Sequence, residues 1–575
     1  MFKLAKFLKP YTGFLILALV LLFLQSIATL FLPKLMSQIV DVGITNSDIT
    51  YILRIGMLML LVALLGSIFT VVANLFSSKI AIGLSSDLRK TLFTKVESFS
   101  LSEFNKIGTA SLITRTTNDV TQIQQLVLVA LRIMVTAPLM VIGGILMALT
   151  TNLELSITLL LSIPILLLVI LVVGKKGIPL FKAMQDKLDK VNLILRENLT
   201  GTRVIRAFNK IDYEEKRFNV SNLDLTDNAI KVNKIIATLM PSMMVILNLT
   251  TVAVLWFGGI KVDQGYLEVG NLIAFVQYVM QIMMSLVMLT MMFIIIPRAS
   301  ASAVRINEIL DLNFEIADKS DSVMSTTQTG YVIFKDVSFL FPGSEEPALS
   351  HISFATKPGQ TTAIIGGTGS GKTTLIELIP RFHDVSSGEV LVDGVNVRDL
   401  SQETLRSKIG FVPQKAILFS GSIKNNLCYG KEDATDAEIH HALEVAQASE
   451  FVSDMPEGID SFIAQGGANV SGGQKQRLSI ARALIRKPEI YLFDDSFSAL
   501  DFKTDAALRK ALHHETGDAS VIIVAQRISS IMDADQIIVL HEGQTVGIGT
   551  HKELLSNCPI YKEIALSQLS KEELE

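Results

Sequence analysis

Long apolar runs dominate the first half of the chain. Phe14 to Leu32 is a stretch of nineteen apolar or weakly polar residues in which Gln25 and Ser26 are the main interruptions. At about 1.5 Å per helical residue it is long enough to cross the roughly 30 Å hydrocarbon core of a bilayer. It is too long for the core of a signal peptide and no small-residue cleavage site follows it, so it counts as a span. Five further runs follow at 55–76, 126–150, 155–173, 235–260 and 272–296. The pattern predicts six transmembrane helices.

An even number of spans returns the chain to its starting side, and Lys3, Lys6 and Lys9 ahead of the first run place that side in the cytoplasm. The connections agree: segments 33–54, 151–154 and 261–271 are short and poor in Lys and Arg, whereas 77–125 and 174–234 are long and hold most of the basic residues. The long connections are amphipathic and helix-favouring. In Lys182 to Asn198, for example, Leu188, Val191 and Leu195, with Leu199 just beyond, recur at helical spacing. This predicts membrane helices that continue well into the cytoplasm. After the sixth run, Asp318 to Gly330 is rich in Ser and Thr and has no periodicity, which marks a linker. It separates a transmembrane domain at 1–317 from a soluble domain at 331–575 that is large enough to build its own core.

Composition supports that division. The chain has 575 residues, too many for one domain, with 18% charged residues and a mean hydropathy of +0.45, too apolar for a soluble protein of this size. A net charge of -4 without a basic tract excludes nucleic acid as a partner. Cys428 and Cys558 have no metal-ligand spacing and read as reduced thiols, and the eight His residues form no Cys/His cluster. No metal site is indicated beyond Mg²⁺ bound together with a nucleotide.

The chemistry lies in the soluble half. Gly366-Gly367-Thr368-Gly369-Ser370-Gly371-Lys372-Thr373 fits G-x-x-x-x-G-K-[ST], a loop whose backbone N–H groups cradle a polyphosphate. Lys372 neutralises the β and γ groups and Thr373 offers a hydroxyl to Mg²⁺. Thr361 to Ile365 reads as a buried strand entering the loop, and Thr374 to Leu378 as the helix whose N-terminus points at the phosphates. A second Gly-rich element, Ser471-Gly472-Gly473-Gln474, opens a helical stretch. About twenty residues later the strand Ile490 to Phe493 ends in Asp494-Asp495, an arrangement that delivers a carboxylate to Mg²⁺ beside a phosphate loop.

Together these elements resemble the ATP-binding cassette (ABC) transporter superfamily, over essentially the whole chain. The layout is that of an exporter-type half-transporter. The resemblance implies an α-helical membrane domain of six transmembrane helices with long cytoplasmic extensions, joined to an α/β P-loop NTPase cassette with a helical subdomain. It implies that Gly366, Thr368, Gly369, Ser370, Gly371, Lys372, Thr373 and Thr374 hold ATP, and that Thr373, Gln414 and Asp494 attend to its Mg²⁺. Gln414 matches the glutamine that also faces the membrane domain. Phe341 stands for the aromatic that stacks on adenine, usually Tyr, and keeps the π face. Ser498 to Asp501 matches the loop between the two nucleotide sites. Ser471, Gly472, Gly473 and Gln474 match the signature that binds the γ-phosphate held by the opposite cassette, so the working unit is expected to be a dimer with two ATP molecules at its seam. The family couples cassette and membrane through short helices at the tips of the inner loops, for which Phe104 to Ser111 and Asn209 to Phe218 are the best matches.

Two positions depart from the family pattern. The general base after the Mg²⁺ aspartate is normally Glu and is here Asp495. One methylene fewer withdraws the carboxylate by about 1 to 1.5 Å, and a misplacement of that order costs roughly 10²-fold in rate. The switch His is replaced by Gln526, whose amide donates a hydrogen bond but never carries positive charge. Both changes weaken hydrolysis and leave the binding residues in place. The resemblance therefore extends to the slow-site subunit of a heterodimeric bacterial multidrug exporter in the plasma membrane. In that arrangement a second half-transporter carries the intact Glu and His, and amphipathic compounds are the cargo. The alternatives are a homodimer in which Asp495 is a slow base, a lipid or peptide exporter, and an ATP-binding regulatory membrane subunit that transports nothing itself.

Two further features bear on the membrane path. Arg132 falls six residues into its apolar run, and an Arg at the centre of a span costs about 2.5 to 3.5 kcal/mol. It either faces a wet cavity or a partner, or snorkels to the inner surface. Met240, Met243, Met244, Met280, Met283, Met284, Met288, Met291 and Met292 crowd the fifth and sixth spans near Asn248, Gln277 and Gln281. Such a wall suits varied apolar ligands, although packing and lipid contact are its more ordinary uses.

Overall fold

Six helices of 42 to 53 residues, each with an apolar window long enough to cross a membrane, make up most of the first half of the chain. They are seen in a computed structural model that describes residues 2–290, 292–312, 315–319 and 321–569. Met291 of the Met-rich wall, Ser320 of the linker and the last cassette residues, 570–575, lie outside the described residues. The long helices are α1 (Lys3–Ile44), α2 (Ile49–Glu97), α4 (Thr109–Thr151), α5 (Ser156–Thr200), α7 (Ile211–Asp263) and α8 (Val269–Asp311). Two short ones separate them, α3 (Leu101–Ile107) and α6 (Thr202–Ala207). At 1.5 Å per residue the long helices reach about 63 to 80 Å, at least twice the hydrocarbon thickness. Each predicted run lies within one of them, apart from Leu155 one residue ahead of α5, and the helices continue well beyond the runs, as at 77–97 of α2, 174–200 of α5 and 211–234 of α7.

The membrane helices pack through small residues and large ones. A Cβ on Gly144 of α4 would stand 2.7 Å from Ile282 of α8, and Phe275, Tyr278 and Ile282 of α8 are fully buried. Small-to-large contacts of this kind substitute for a hydrophobic driving force that lipid does not supply. Met243 and Met283 are buried in this core, whereas Met280, Met284 and Met288, at i, i+4 and i+8, are exposed along α8.

Two expectations shift. On α5, Val191 and Ile194 are the buried pair, whereas Leu188, Leu195 and Leu199 are exposed; the stripe that packs is narrower and one position off the predicted one. In the second inner connection the separate short helix is α6, upstream of the predicted segment, because α7 begins at Ile211 and takes up most of Asn209 to Phe218. The first prediction, Phe104 to Ser111, covers the end of α3 and the start of α4.

The chain divides into two compact units, Met1–Ser98 with Ile107–Leu312, and Phe99–Lys106 with Asn313–Glu575. In the second unit, segment 318–330 is held by local bonds: Val323 N–H donates to Asp399 O at 2.7 Å, and Gln402 N–H donates to the Asp318 carboxylate at 3.2 Å. Two sheets follow. The first is antiparallel and holds β1 (Val332–Phe339), β2 (Leu349–Thr356), β4 (Ser387–Val392) and β5 (Val395–Asn396) in the order β2-β1-β4-β5. The second has the order β12-β11-β3-β10-β9-β6. Its strands are β3 (Thr361–Gly366), β6 (Ile409–Val412), β9 (Ile490–Asp494), β10 (Ser520–Val524), β11 (Gln536–His541) and β12 (Gln544–Gly549). Only β12 runs against its neighbour there.

The second sheet is buried on both faces, which explains the near-continuous apolar runs in its strands. Ile364, Leu492, Ile522 and Ile538 point into one core with β1 and β2. Ala363, Phe493, Ile523 and Val539 point into another, shared with the helix Gly472–Leu484. The period-two alternation thus serves two cores at once, and it leaves the carboxyl ends of β3, β9 and β10 side by side, where ligands bind in sheets of this kind.

Candidate functional site

Strand β3 ends at Gly366, and the chain turns through Gly367–Gly371 into helix α9 (Lys372–Glu377). Glycine is required at both ends of the turn. At Gly366 a Cβ would meet Ser370 Oγ at 2.6 Å. Gly371 has φ +94, and its Cβ would lie 2.7 Å from Leu349 Cδ2 and 2.8 Å from Ala348 O. The opposite side of the loop is open: a Cβ on Gly367 or Gly369 would have nothing within 4 Å. Ser370 Oγ is buried with no partner. A concave loop with an unpaired buried hydroxyl at the N-terminus of a helix fits a polyphosphate.

The charged residues converge at that loop. Lys372 Nζ donates to Gly366 O at 2.9 Å and Gly367 O at 2.7 Å. Thr373 Oγ1 donates to Asp494 Oδ1 at 3.1 Å, which joins the helix to the end of β9. Asp494 and Asp495 are both buried, and Asp495 adopts φ +45, in the left-handed region. Its N–H donates to Val524 O at 2.9 Å. This bond turns the side chain out of the strand and toward the two glutamines. Gln526 Nε2 donates to Asp495 Oδ2 at 2.8 Å, and Gln414 Nε2 reaches the same oxygen at 3.3 Å.

Burial governs the electrostatics here. It raises both carboxyls above their ordinary values, against the Thr373 bond and Lys372 charge at Asp494 and against hydrogen bonds and the charges of Lys372 and Arg527 at Asp495. It also lowers Lys372, although Asp495 and Asp494 pull it upward. The three charges are thus incompletely compensated by one another, a situation that a bound polyphosphate with Mg²⁺ would relieve from both sides. Thr373 and Asp494 are suited to Mg²⁺, a cation that takes one or two protein ligands together with phosphate oxygens and water. Gln414 is spent on Asp495 and makes no bond to either. No group of three or more His, Cys, Asp and Glu side chains suited to a metal occurs among the described residues.

The other predicted residues form two neighbouring groups. Phe341 packs edge-on against Phe339, with centroids 4.8 Å apart, and against His383 at 5.6 Å. Ser471 caps the helix α10 (Gly472–Leu484) in a reciprocal box, its N–H donating to Gln474 Oε1 at 2.9 Å, which orients Gly472 and Gly473 at the helix start. A Cβ on Gly473 would lie 3.2 Å from Ala499 O, so the start of α10 and the 498–501 loop touch. Asp501 caps α11 (Phe502–Glu515) by accepting from Thr504 N–H at 3.0 Å. Among the described residues no hydrogen bond joins Ser471–Gln474 to the Lys372 cluster. Thr374 lies in α9 just behind Thr373, and Thr368 lies in the turn.

Sequence reasoning missed two neighbours. Burial, with Asp494 adding to it, raises Glu377 on α9, and burial lowers His383 beside Phe341 against the pull of Glu315. Glu377 follows Lys372 by little more than a helical turn, a spacing that could have flagged it; His383 carries no local signal.

Residues 15–286 match the family described as ABC transporter transmembrane region, and residues 349–498 match the family described as ABC transporter. An ABC transporter ATP-binding protein of Mycobacterium tuberculosis is 42% identical over 565 residues, which cover 98% of this chain and 97% of that protein. The ABC transporter ATP-binding protein YfiB of Bacillus subtilis is 40% identical over 570 residues, 99% of each. The solved structure of a bacterial Atm1-family ABC exporter with ATP bound superposes with a TM-score of 0.82 at 25% identity, covering 97% of this chain and 99% of that one.

Proposed function

This chain belongs to the ABC transporter family, as an exporter half-transporter and a multi-pass plasma-membrane protein, and on that premise we propose that it is the slow-site subunit of a heterodimer that exports amphipathic compounds. Membership brings ATP binding with Mg²⁺, ATP hydrolysis and operation as a dimer in general terms. The proposal adds the division of labour between the two sites, with N-terminus and cassette in the cytoplasm.

The observation that carries it is the bond from Gln526 to Asp495. A carboxylate oxygen that already accepts from two amide groups has its lone pairs committed to the glutamines and not to an attacking water, and the shortened side chain is held back toward them. Lys372, Thr373 and Asp494 keep their binding geometry, so the pocket is built to hold a nucleotide more than to turn it over. Bound ATP supplies a phosphoanhydride whose cleavage, at a competent site, yields the free energy for transport. At its own site this chain's residues retain the nucleotide and keep the two cassettes together. Ser471 to Gln474, ordered by the capping box and unbonded to the Lys372 cluster, serve the partner's competent site.

A homodimeric exporter is the second reading, and the environment of Asp495 favours it: burial makes that carboxyl a stronger base than an exposed aspartate. The two readings part on mutagenesis. With a partner half-transporter that has Glu and His at the corresponding positions, Asp495→Ala here leaves substantial ATPase and dye efflux, while removal of the partner's Glu abolishes both. Complete loss in both variants rejects the slow-site assignment.

A further inference from the structure

Arg132 is a charged residue in the apolar run of α4 whose charge meets no counter-charge. Its Nη2 donates to Ser78 Oγ at 3.0 Å and to Asn74 O at 3.5 Å, both neutral groups on α2. Its Nε is buried without a partner. Among the described residues no carboxylate pairs with it, although Asp119, Glu154 and Asp311 in the same unit all have cationic partners. The helix leaves regular α geometry here, with Ala130–Met134 in a π turn, a departure that often marks a functional site.

The surroundings suit an acidic ligand with an apolar tail. Lys79, adjacent to Ser78, stands 4.3 Å above the ring of Phe14, and Phe14 stacks on Phe76 at 5.5 Å. Ser77 Oγ is a second buried polar atom without a partner. The nearby Asp87 carboxylate, further along α2, accepts from Tyr11 at 2.9 Å. Arg132 lies six residues into its apolar run, about 9 Å along the helix from its start, a distance over which a long cationic side chain reaches toward the headgroup boundary. An exposed belt that includes Leu75, Ile82 and Met134 borders the same stretch.

We infer that this cluster is a head-group site for an anionic amphipath, a phosphate or carboxylate carried on an acyl chain, with Arg132 as its anchor. A guanidinium fork matches two oxygens of such a head, and basic pockets between helices at the cytoplasmic side suit acidic lipids. Snorkelling would free the guanidinium into water; the tether to α2 instead holds it between helices. The inference rests on the reading of the protein as an exporter of amphipathic compounds and narrows the cargo to anions.

The test is binding to the full assembly in phosphatidylcholine nanodiscs, with dodecyl phosphate as the probe below its micellar concentration. Dodecyl phosphate is expected to bind at least about tenfold tighter than dodecyltrimethylammonium or inorganic phosphate, and Arg132→Gln to remove that preference, with Arg132→Lys in between. Ser78→Ala, which cuts the tether and keeps the charge, retains the preference for the anion. Discs with added phosphatidylglycerol separate the sources: if the dodecyl phosphate signal vanishes there, the resident anion is a bilayer lipid, and if it persists, a single-chain cargo. Equal binding of the cationic and anionic probes to the unmodified protein, or unchanged binding in Arg132→Gln, overturns the inference. Binding needs no hydrolysis, so this outcome is independent of whether the ATP site is slow.

Discussion

The side-chain amide of Gln526 donates to Oδ2 of Asp495 at 2.8 Å, so the two residues on which the proposed slow site rests are in direct contact. A His at 526 could be charged and a Glu at 495 would reach further into the site. The pair present here does neither, and each residue stabilises the other in a retracted arrangement.

Restoring both residues should restore catalysis. Asp495→Glu with Gln526→His is expected to raise ATP turnover at this site by roughly 10²-fold. Either change alone should give less than its share, because groups in contact do not act additively. Steady-state phosphate release from the four forms, measured with the partner's base removed, checks this, and four equal rates count against it.

The phosphate loop should tolerate a methyl group on one side only. Gly371→Ala forces a Cβ into contact with Leu349 and Ala348 at φ +94, a strain of about 1 to 2 kcal/mol before any clash is added. It should abolish ATP binding at this site. Gly367→Ala, with nothing within 4 Å of its Cβ, should leave thermal unfolding unchanged. Calorimetry and nucleotide titration separate the two.

At the adenine end, Phe341→Ala should raise the Kd for ATP about threefold to tenfold, the worth of one aromatic stacking contact. Phe341→Tyr should leave it nearly unchanged. An ATP and GTP pair of titrations checks that the loss is in the base contact, since both nucleotides stack.

Stability should depend on pH through Asp495. Burial raises its carboxyl above the ordinary value despite opposing hydrogen bonds and cations, so the folded chain takes up a proton at a higher pH than the unfolded chain does. Stability therefore falls as pH rises through that window, and the cost of the bare carboxylate is fully present above it. Asp495→Asn removes the cost. The variant's Tm should exceed that of the unmodified chain by a few degrees near about pH 7, and the gap should close toward about pH 4. A gap of constant size across that range would assign the effect to something other than titration.

Much of this was legible in the sequence, because its signals are local. Nineteen apolar residues from Phe14 need no tertiary context to span lipid, and Gly366 to Thr373 sets its own turn through glycines at fixed offsets. The boundaries of the cytoplasmic helices were less legible. Val191 and Ile194 are the buried pair on α5 because α7 packs there, and only the neighbour's position selects those two from a longer leucine stripe. The bond between Gln526 and Asp495 was also out of reach: the residues are 31 positions apart, and parallel pairing of β9 with β10 is what sets them side by side. For Arg132 the alternatives of partner and water could be framed from position alone, but the tether to Ser78 required the packing of α4 on α2.

Whether this chain retains its nucleotide or cleaves it is decided by the chemical state of that nucleotide during turnover. The purified pair of half-transporters is incubated with Mg²⁺ and a photoactivatable ATP at a temperature that supports hydrolysis, then irradiated, and the label on each subunit is analysed. Uncleaved triphosphate is expected on the Lys372 subunit while the partner's subunit carries diphosphate. Diphosphate on both, reached at the same rate, would overturn the assignment of a slow site to this chain.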